Sequence, residues 1–346
     1  MKSNRLQLFY FIIVLCISTA TFVDKQTTPL QFIVPQGWAQ PSYDFSKNPL
    51  TEEGFALGRK LFFDPGLSKD SSISCVSCHL QFSAFTHVDH ALSHGINGLK
   101  GTRNSSTLFN LAWNTSFMWD GGVNNLEVQP LNPLTSPVEM NTTLDSVVMY
   151  LQKKPYYRQK FAAAFGDSTI TGQKVLKALA QFTVMLQSYN AKYDKYMRNE
   201  AGANDMNINE LKGLQLFRLN CASCHTEPLF TNNQILNNGL PLDPELKDRG
   251  KMKISNDSAD DRKFKVPSLR NVEVSAPYMH DGRFRTLEQV IEHYTVGIEH
   301  SATLAPELET PKVFTDDEKK NLVLFLKTLT DKEFLYNLKY RNYINE

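Results

Sequence analysis

The chain has 346 residues and a formal net charge of +1, from 37 basic and 36 acidic side chains. This balance argues against nucleic acid as a partner, because a nucleic-acid-binding surface normally leaves an excess of basic residues. Hydrophobic residues make up 41% of the chain and charged residues 21%, as in ordinary soluble globular proteins, and the length allows two domains, each with its own core.

The N-terminus has the pattern of an export signal. Lys2 and Arg5 precede an apolar run over residues 6–17, and small residues follow at 18–20. This pattern predicts a signal peptide over residues 1–20 and a periplasmic location for the mature protein. The run is short for a transmembrane helix, and an uncleaved anchor is the alternative.

Four cysteines remain once Cys16, inside the apolar run, is set aside, and their spacing points to a cofactor. Residues 75–79 and 221–225 both read C-x-x-C-H. Two such thiols can bond to the vinyl groups of one haem, and the histidine that follows can ligate its iron. A zinc site or a redox thiol pair would leave both histidines unexplained. The motifs therefore predict two covalent c-type haems, bound by Cys75, Cys78, His79, Cys221, Cys224 and His225.

The sequence also repeats itself around these motifs. Residues 106–110 resemble residues 267–271, and in the same register residues 117–121 resemble residues 278–282. Trp119 then falls opposite His280. The repeat predicts two tandem cytochrome c-like haem domains, an N-terminal one over residues 40–198 and a C-terminal one over residues 205–332.

The coarse pattern is mostly α-helical, with long loops rich in Pro, Gly, Asn and Ser. Apolar residues recur at helical spacing over residues 144–151, 175–186, 211–217 and 322–329. Thr315 and Glu318 form a predicted capping box that opens the last of these helices. The polar stretch 199–209 is predicted to link the two domains.

The two copies of the repeat differ at one position that bears on the haem sites. Tyr294 stands fourteen residues after His280, whereas Pro133 stands fourteen residues after Trp119. A tyrosine oxygen can ligate haem iron and a proline cannot. The second haem would then be six-coordinate while the first keeps an open face for peroxide. The alternative is that Tyr294 is an aromatic residue of the core.

A carboxyl group follows Pro133 in the sequence. Glu139 could move a proton between the two peroxide oxygens during O–O cleavage, because burial raises a carboxyl pKa towards neutrality. The residues alone favour a different role for Glu139, as the acidic residue at the start of a helix near residues 142–153.

Together these segments resemble the bacterial di-haem cytochrome c peroxidase family, which includes the MauG-type enzymes. The resemblance spans about residues 48–329 and rests on both haem motifs and on residues 103–104, 117–121, 137–140, 267–271 and 276–282. It implies that His79 ligates a peroxidatic haem and His225 an electron-transfer haem. It implies that Trp119 relays electrons between them, and that Glu139 and Gln129 line the peroxide pocket.

The resemblance also implies further ligands and partners. Asn104, with the backbone oxygens of Ser275 and Pro277, matches a calcium site between the domains. A histidine after the first haem motif caps the resting iron in many relatives, and His94 is the choice here over His87 and His90. Hydrogen peroxide, a small cytochrome c or cupredoxin as electron donor, and a homodimer are the implied partners.

Two positions depart from the peroxidases. Gly122 stands where the family usually has an arginine. Tyr294 stands where peroxidases have methionine and MauG-type proteins have tyrosine. An anionic oxygen ligand favours oxidised iron. The predicted function is therefore peroxide reduction, the alternatives being a MauG-like oxidase of aromatic residues in a partner protein and a non-catalytic electron carrier.

Overall fold

A computed structural model describes residues 27–200 and 206–342, so the predicted signal peptide lies outside the described residues. The fold is mostly α-helical, with short 3₁₀ turns and long loops between the helices. The helices are α1 Glu52–Phe62, α2 Leu131–Thr135, α3 Leu144–Gln152, α4 Pro155–Phe165, α5 Gly172–Val184, α6 Lys192–Met197, α7 Ile208–Asn220, α8 Met252–Ser255, α9 Leu287–Val296, α10 Asp316–Lys327 and α11 Lys332–Leu335.

The described part of the chain has one small sheet, formed by β1 Ile235–Leu236 and β2 Phe264–Lys265. The two strands are antiparallel, with Ile235 opposite Lys265 and Leu236 opposite Phe264. No helix within residues 27–200 and 206–342 is both long enough and apolar enough to cross a bilayer.

Each half of the chain is built around one pair of crossing helices, α1 with α5 and α7 with α10. A glycine permits the close approach in both pairs. A Cβ on Gly58 would lie 1.9 Å from the backbone oxygen of Ala178, and one on Gly213 would lie 2.0 Å from that of Asn321. Any larger side chain would push the helices apart, so the repeated glycine fixes the same crossing twice.

The backbone repeats the same conformations in the loops that follow. Asn110 and Asn271 are both left-handed, with φ of 52° and 57°. Eight residues later, Met118 and Met279 have φ of 68° and 73°. Left-handed backbone is uncommon for a methionine. Its recurrence at matching positions shows that the sequence repeat is also a structural repeat.

The hydrophobic core has separate clusters in the two halves, and one segment of each half packs in the cluster of the other half. Tyr193 of α6 packs in the cluster of α7, α9 and α10, although the predicted N-terminal domain ran to residue 198. The tail, which lies beyond both predicted domains, places Phe334, Leu335 and Tyr340 in the core of the first half. The halves therefore exchange terminal segments, each buried against the other half.

The four predicted helices are present, but three begin earlier than their apolar pattern. Thr171, Asn207 and Thr315 accept hydrogen bonds from the first turns of α5, α7 and α10. The capping box of Thr315 and Glu318 is confirmed. Apolar spacing marks only the turns that face the core, whereas the cap residues mark where each helix starts.

Candidate functional site

The first C-x-x-C-H motif begins on a 3₁₀ turn, Cys75–Ser77. The backbone N–H of Ser74 donates to the Ser77 hydroxyl at 3.1 Å, and the backbone N–H of Ser77 donates to the backbone oxygen of Ser74 at 3.0 Å. The His79 Nδ1 is 2.7 Å from the backbone oxygen of Phe85. This contact places the proton on Nδ1 and leaves Nε2 as a free ligand. Burial lowers the pKa of His79, which favours the neutral imidazole that a metal requires.

The second motif follows α7 directly, since the helix ends at Asn220. The His225 Nδ1 lies 3.2 Å from the backbone oxygen of Phe230 and 3.1 Å from that of Pro267. Burial lowers the pKa of His225 to about 4. In both halves, contact of Nδ1 with a backbone oxygen thus holds the histidine in the neutral tautomer that can ligate a metal.

The four cysteines of these motifs are free of disulfide bonds. Burial raises the pKa of Cys75 and of Cys221 to about 12, so both are neutral thiols. Each half thus has two unpaired thiols and an imidazole with a free Nε2. This donor set fits one covalently bound haem in each half and does not fit a disulfide framework.

A carboxyl group adjoins the first motif. Glu139 interacts electrostatically with the thiols of Cys75 and Cys78, and burial raises its pKa above the ordinary 4.5. Its backbone oxygen accepts a hydrogen bond from Ile96 at 2.9 Å. Glu139 lies ahead of α3, whose N-cap is Thr143, so it is not the acidic residue of that helix's first turn.

Gln129 lies before α2, whereas Glu139 lies after it. The Gln129 Nε2 donates to the sulfur of Met118 at 3.5 Å. In the other half, the Asn238 Nδ2 donates to the sulfur of the equivalent Met279 at 3.6 Å. The two halves thus hold a left-handed methionine against a side-chain amide, and they supply that amide from different parts of the chain.

Tyr294 lies on α9 beside the second motif. It interacts electrostatically with Cys221 and Cys224, and its hydroxyl oxygen accepts from the Asn238 Nδ2 at 3.4 Å. Burial raises the pKa of Tyr294 to about 12, so the phenol is neutral in the protein as described. A metal cation beside it would favour the phenolate.

Trp119 lies where the two halves meet. Its indole N–H donates to the backbone oxygen of Asn104 at 2.8 Å, and the backbone N–H of Asn104 donates to His280 at 2.7 Å. The backbone oxygen of Trp119 accepts from Lys265 at 2.7 Å. The ring of His280 stacks on Phe264 with centroids 3.8 Å apart. The predicted relay residue and its counterpart in the repeat are therefore joined through one shared residue.

The arginine missing at position 122 is replaced from elsewhere in the chain. In the second half, Arg283 binds Asp281 two residues before it, with its Nε 2.8 Å from the carboxylate. In the first half, Arg103 binds the equivalent Asp120 at 2.6 Å. Arg103 also forms a bidentate contact with Asp248, at 2.6 and 3.0 Å. Arg103 thereby ties the first half to the second.

The predicted calcium ligands make other contacts in this structure. The side-chain amide of the buried Asn104 donates to the backbone oxygen of Ala91 at 2.9 Å, and its backbone N–H donates to the backbone oxygen of His280 at 2.7 Å. The Ser275 hydroxyl faces Val272 at 3.5 Å. The calcium site remains a prediction.

The histidines after the first motif form a cluster. The ring centroids of His87, His90 and His94 are 4.7 to 5.2 Å apart. The sulfur of Cys78 donates to the backbone oxygen of His94 at 3.5 Å, so the cluster adjoins the haem motif. The assignment of His94 alone as a cap of the first iron stays a prediction.

Sequence comparisons place these features in a known family. Residues 52–202 match the family model described as di-haem cytochrome c peroxidase. The chain is 38% identical to the methylamine utilization protein MauG of Methylorubrum extorquens, over 82% of this chain and 79% of that protein. It is 34% identical to cytochrome c551 peroxidase of Nitrosomonas europaea, over 79% of each. The chain belongs to the di-haem cytochrome c peroxidase family.

Solved structures agree with this membership. A MauG-like protein associated with microbial copper homeostasis superimposes with a TM-score of 0.79 and 31% identity, over 90% of this chain and 99% of that one. The diheme peroxidase BthA of Burkholderia thailandensis has the same fold, with a TM-score of 0.70 and 22% identity over 83% of this chain and 88% of that one. Family membership implies two haem cofactors, which the two donor sets can hold.

Sequence reasoning missed Asn238 and Asp248 at these sites, and it missed the ion pairs of Arg103. Asn238, which contacts both Met279 and Tyr294, and Asp248, which contacts Arg103, lie in a stretch that reads as an exposed loop. Neither belongs to a recognisable motif. Gly122 was a usable signal for Arg103, since losing an arginine beside Asp120 requires that another cation take its place.

Proposed function

We propose that this protein is an exported di-haem peroxidase that reduces hydrogen peroxide to water, H₂O₂ + 2e⁻ + 2H⁺ → 2H₂O, in the periplasm. The observation that carries the proposal is the difference between two otherwise equivalent sites. The first motif adjoins the carboxyl group of Glu139, whereas the second adjoins the phenol of Tyr294. An electron carrier would need no such difference, because both of its irons would be fully ligated.

The proposal assigns one covalently attached haem to each half. Cys75 and Cys78 would form thioethers in the predicted N-terminal domain, residues 40–198, and Cys221 and Cys224 in the predicted C-terminal domain, residues 205–332. His79 and His225 would ligate the irons, in the tautomer that their backbone contacts already fix. When bound, the haems supply the redox chemistry that peroxide reduction requires.

Glu139 is the proton carrier of the proposed reaction. Its raised pKa suits a group that accepts a proton from the inner peroxide oxygen and gives it to the outer one. No hydrogen bond to a cation or a hydroxyl holds the carboxylate among the described contacts, so the group can take part in the transfer. Gln129, held by Met118 before α2, would orient the peroxide.

Trp119 is the proposed electron relay between the halves. Its indole is fixed at one edge by Asn104, and Asn104 is in turn bound to the second half through His280. A rigid aromatic ring at the boundary shortens the distance that an electron must cross. Electrons would come from a small cytochrome c or a cupredoxin and enter through the C-terminal half.

Tyr294 favours a second candidate function. A phenolate ligand stabilises oxidised iron, so a protein with His225 and Tyr294 as ligands would hold oxidising equivalents better than a ready electron. Relatives at 38% and 31% identity are named MauG and MauG-like. The second candidate is therefore an oxidase of aromatic side chains in a partner protein.

One experiment separates these functions. The purified haem-loaded protein is examined spectroscopically, and hydrogen peroxide is then added with and without a reduced small cytochrome c. One high-spin and one low-spin haem, with cytochrome oxidised in proportion to peroxide, is the result expected of the peroxidase. A long-lived oxidised form that consumes no cytochrome supports the oxidase. Two low-spin haems that never respond to peroxide would contradict both.

A further inference from the structure

The strongest feature outside the haem sites is the histidine cluster, defined as His87, His90 and His94. One ring nitrogen from each residue can be chosen so that all three lie within 4.8 Å of one another. Three imidazoles at this spacing form a donor set for a late transition metal. The described residues hold no other group of three such side chains at this spacing.

A second observation points to a ligand at this place. His87 is only 6% exposed, yet its Nδ1 is buried without a hydrogen-bond partner. The Nδ1 of His94 is unpartnered in the same way. Leaving a buried polar nitrogen without a partner is energetically unfavourable. Two of them in one cluster are explained if a metal ion accepts their lone pairs.

The loop that bears the cluster is held at both ends. Thr86, just before His87, pairs with Leu80 across an antiparallel bridge, and His94 pairs with Lys100 across another. The backbone N–H of Gly101 donates to Ser93 at 2.8 Å. The histidines therefore do not depend on a free loop to bring them together, which lowers the entropic cost of binding an ion.

The spacing fits a small ion after a modest adjustment. Zinc bonds to histidine nitrogen at roughly 2.0–2.1 Å, which puts ligand nitrogens about 3.3 Å apart in a tetrahedral site. Closing the cluster from 4.8 Å thus moves a ring by at most about 1.5 Å, within reach of side-chain rotation. The exposed His90 leaves a path from solvent and room for water as the fourth ligand.

We propose that His87, His90 and His94 bind one divalent transition-metal ion, Zn²⁺ or Cu²⁺, separate from the haem irons. Asp89 interacts electrostatically with His87 and adds negative charge near the ion. The site has a structural consequence, because Cys78 contacts the backbone of His94 and Ile96 contacts the backbone of Glu139. A bound ion would stiffen the loop between the first haem motif and its carboxyl group.

The test measures metal binding directly and needs no enzyme activity. Haem-loaded protein without a histidine tag is treated with a chelator, saturated with Ca²⁺, and titrated calorimetrically with Zn²⁺ and separately with Cu²⁺. One ion bound per chain is expected, with a higher thermal unfolding midpoint. X-ray absorption at the zinc edge should show three nitrogen ligands at about 2.0–2.1 Å.

The variants His90→Ala and His94→Ala identify the site, and His300→Ala is the matched control on an exposed histidine elsewhere. Each cluster variant should weaken Zn²⁺ binding at least tenfold, while the control binds as the parent does. His90→Ala serves even where His94→Ala disturbs folding, since His90 is exposed. Absent binding, or binding equal in His90→Ala and His300→Ala, overturns the proposal. A change of the first haem's spectrum in His94→Ala with Zn²⁺ affinity unaltered also overturns it, in favour of a haem cap.

Discussion

Trp119 and Asn104 are joined by a hydrogen bond of 2.8 Å from the indole N–H to the backbone oxygen. The backbone N–H of the same Asn104 donates to the backbone oxygen of His280 at 2.7 Å. The contact thus fixes one aromatic ring relative to both halves of the molecule. Replacing Trp119 tests whether its indole ring relays electrons or only positions the two halves.

Replacing Trp119 with Phe should slow electron delivery. The variant loses the hydrogen bond and the easily oxidised indole, so peroxide-dependent oxidation of reduced cytochrome should fall at least about tenfold, equivalent to 1.4 kcal/mol of barrier. Stopped-flow spectroscopy measures the rate, and both haem spectra should be unchanged. Trp113→Phe is the control, because Trp113 also donates to a backbone oxygen at 2.8 Å. Equal slowing in both variants would rule out a relay specific to Trp119.

Replacing Glu139 with Gln should suppress peroxide turnover. The amide keeps the size of the side chain but cannot accept and return a proton, so kcat should fall roughly 10²- to 10⁴-fold while Gln129 and the haem remain in place. Steady-state assays measure kcat. Glu127→Gln is the control, because Glu127 only accepts a hydrogen bond from Tyr43 at 2.9 Å. A Glu139→Gln variant with near-parental kcat would exclude the carboxyl group from the chemistry.

The pH profile tests the same residue. Glu139 must be ionised to accept the first proton, and burial raises its pKa above 4.5. Activity should therefore fall as the pH drops, with a midpoint above that of an ordinary glutamate, and this acid limb should vanish in the residual activity of Glu139→Gln. An acid limb that persists unchanged in the variant belongs to another group.

Replacing Tyr294 with Phe should change only the second haem. Loss of the oxygen removes the candidate ligand and frees the Asn238 amide, so a low-spin spectral component should become high-spin or acquire a new ligand. Absorption and electron paramagnetic resonance spectra measure this. Tyr278→Phe is the control, because its hydroxyl donates to the backbone of Val272 at 2.9 Å. Identical spectra in parent and Tyr294→Phe would show that Tyr294 is a core residue.

Replacing Arg103 with Met should destabilise the contact between the halves. The side chain of Asp248 is 1% exposed, and its carboxylate would lose its bidentate partner while keeping Lys253 at 3.3 Å and the Gly250 N–H at 3.0 Å, a change that costs about 1–3 kcal/mol. Thermal and denaturant unfolding measure the loss. Arg218→Met is the control, since Arg218 pairs with Glu227 at a more exposed site and should cost about 1 kcal/mol or less. Equal losses would mean that Arg103 does not join the halves.

Acid unfolding provides a signature of the same pair. Burial raises the pKa of Asp248, but the Arg103 guanidinium, with smaller contributions from the Gly250 N–H and Lys253, outweighs it and brings the pKa from 3.8 down to about 2. A depressed pKa contributes stability that is complete above 3.8 and disappears as the pH falls through 2. The free energy of unfolding of the parent should decrease over that window, and the decrease should be smaller in Arg103→Met. A parallel decrease in both proteins would assign the acid sensitivity to other carboxyl groups.

The sequence by itself predicted the haem-binding residues and determined the helical class and the internal repeat, because these depend on local spacing. Two thiols and an imidazole within five residues can serve one cofactor whatever surrounds them. The aligned halves also identified Tyr294 as a position to examine, and the family resemblance identified Glu139 and Trp119. Helix starts were recoverable from Thr315 and similar caps for the same reason, since a cap acts on its own first turn.

Only the tertiary structure decided which distant residues meet. It placed Asp248 opposite Arg103 and Asn238 against Tyr294, and it packed the tail of the chain into the first core. It also gathered His87, His90 and His94 into one cluster, whereas the sequence marked them only as candidate caps of the first iron. Contacts between remote segments depend on how whole elements cross, as at Gly58 and its counterpart in the second half. The local spacing of residues in the sequence does not specify how the helices cross.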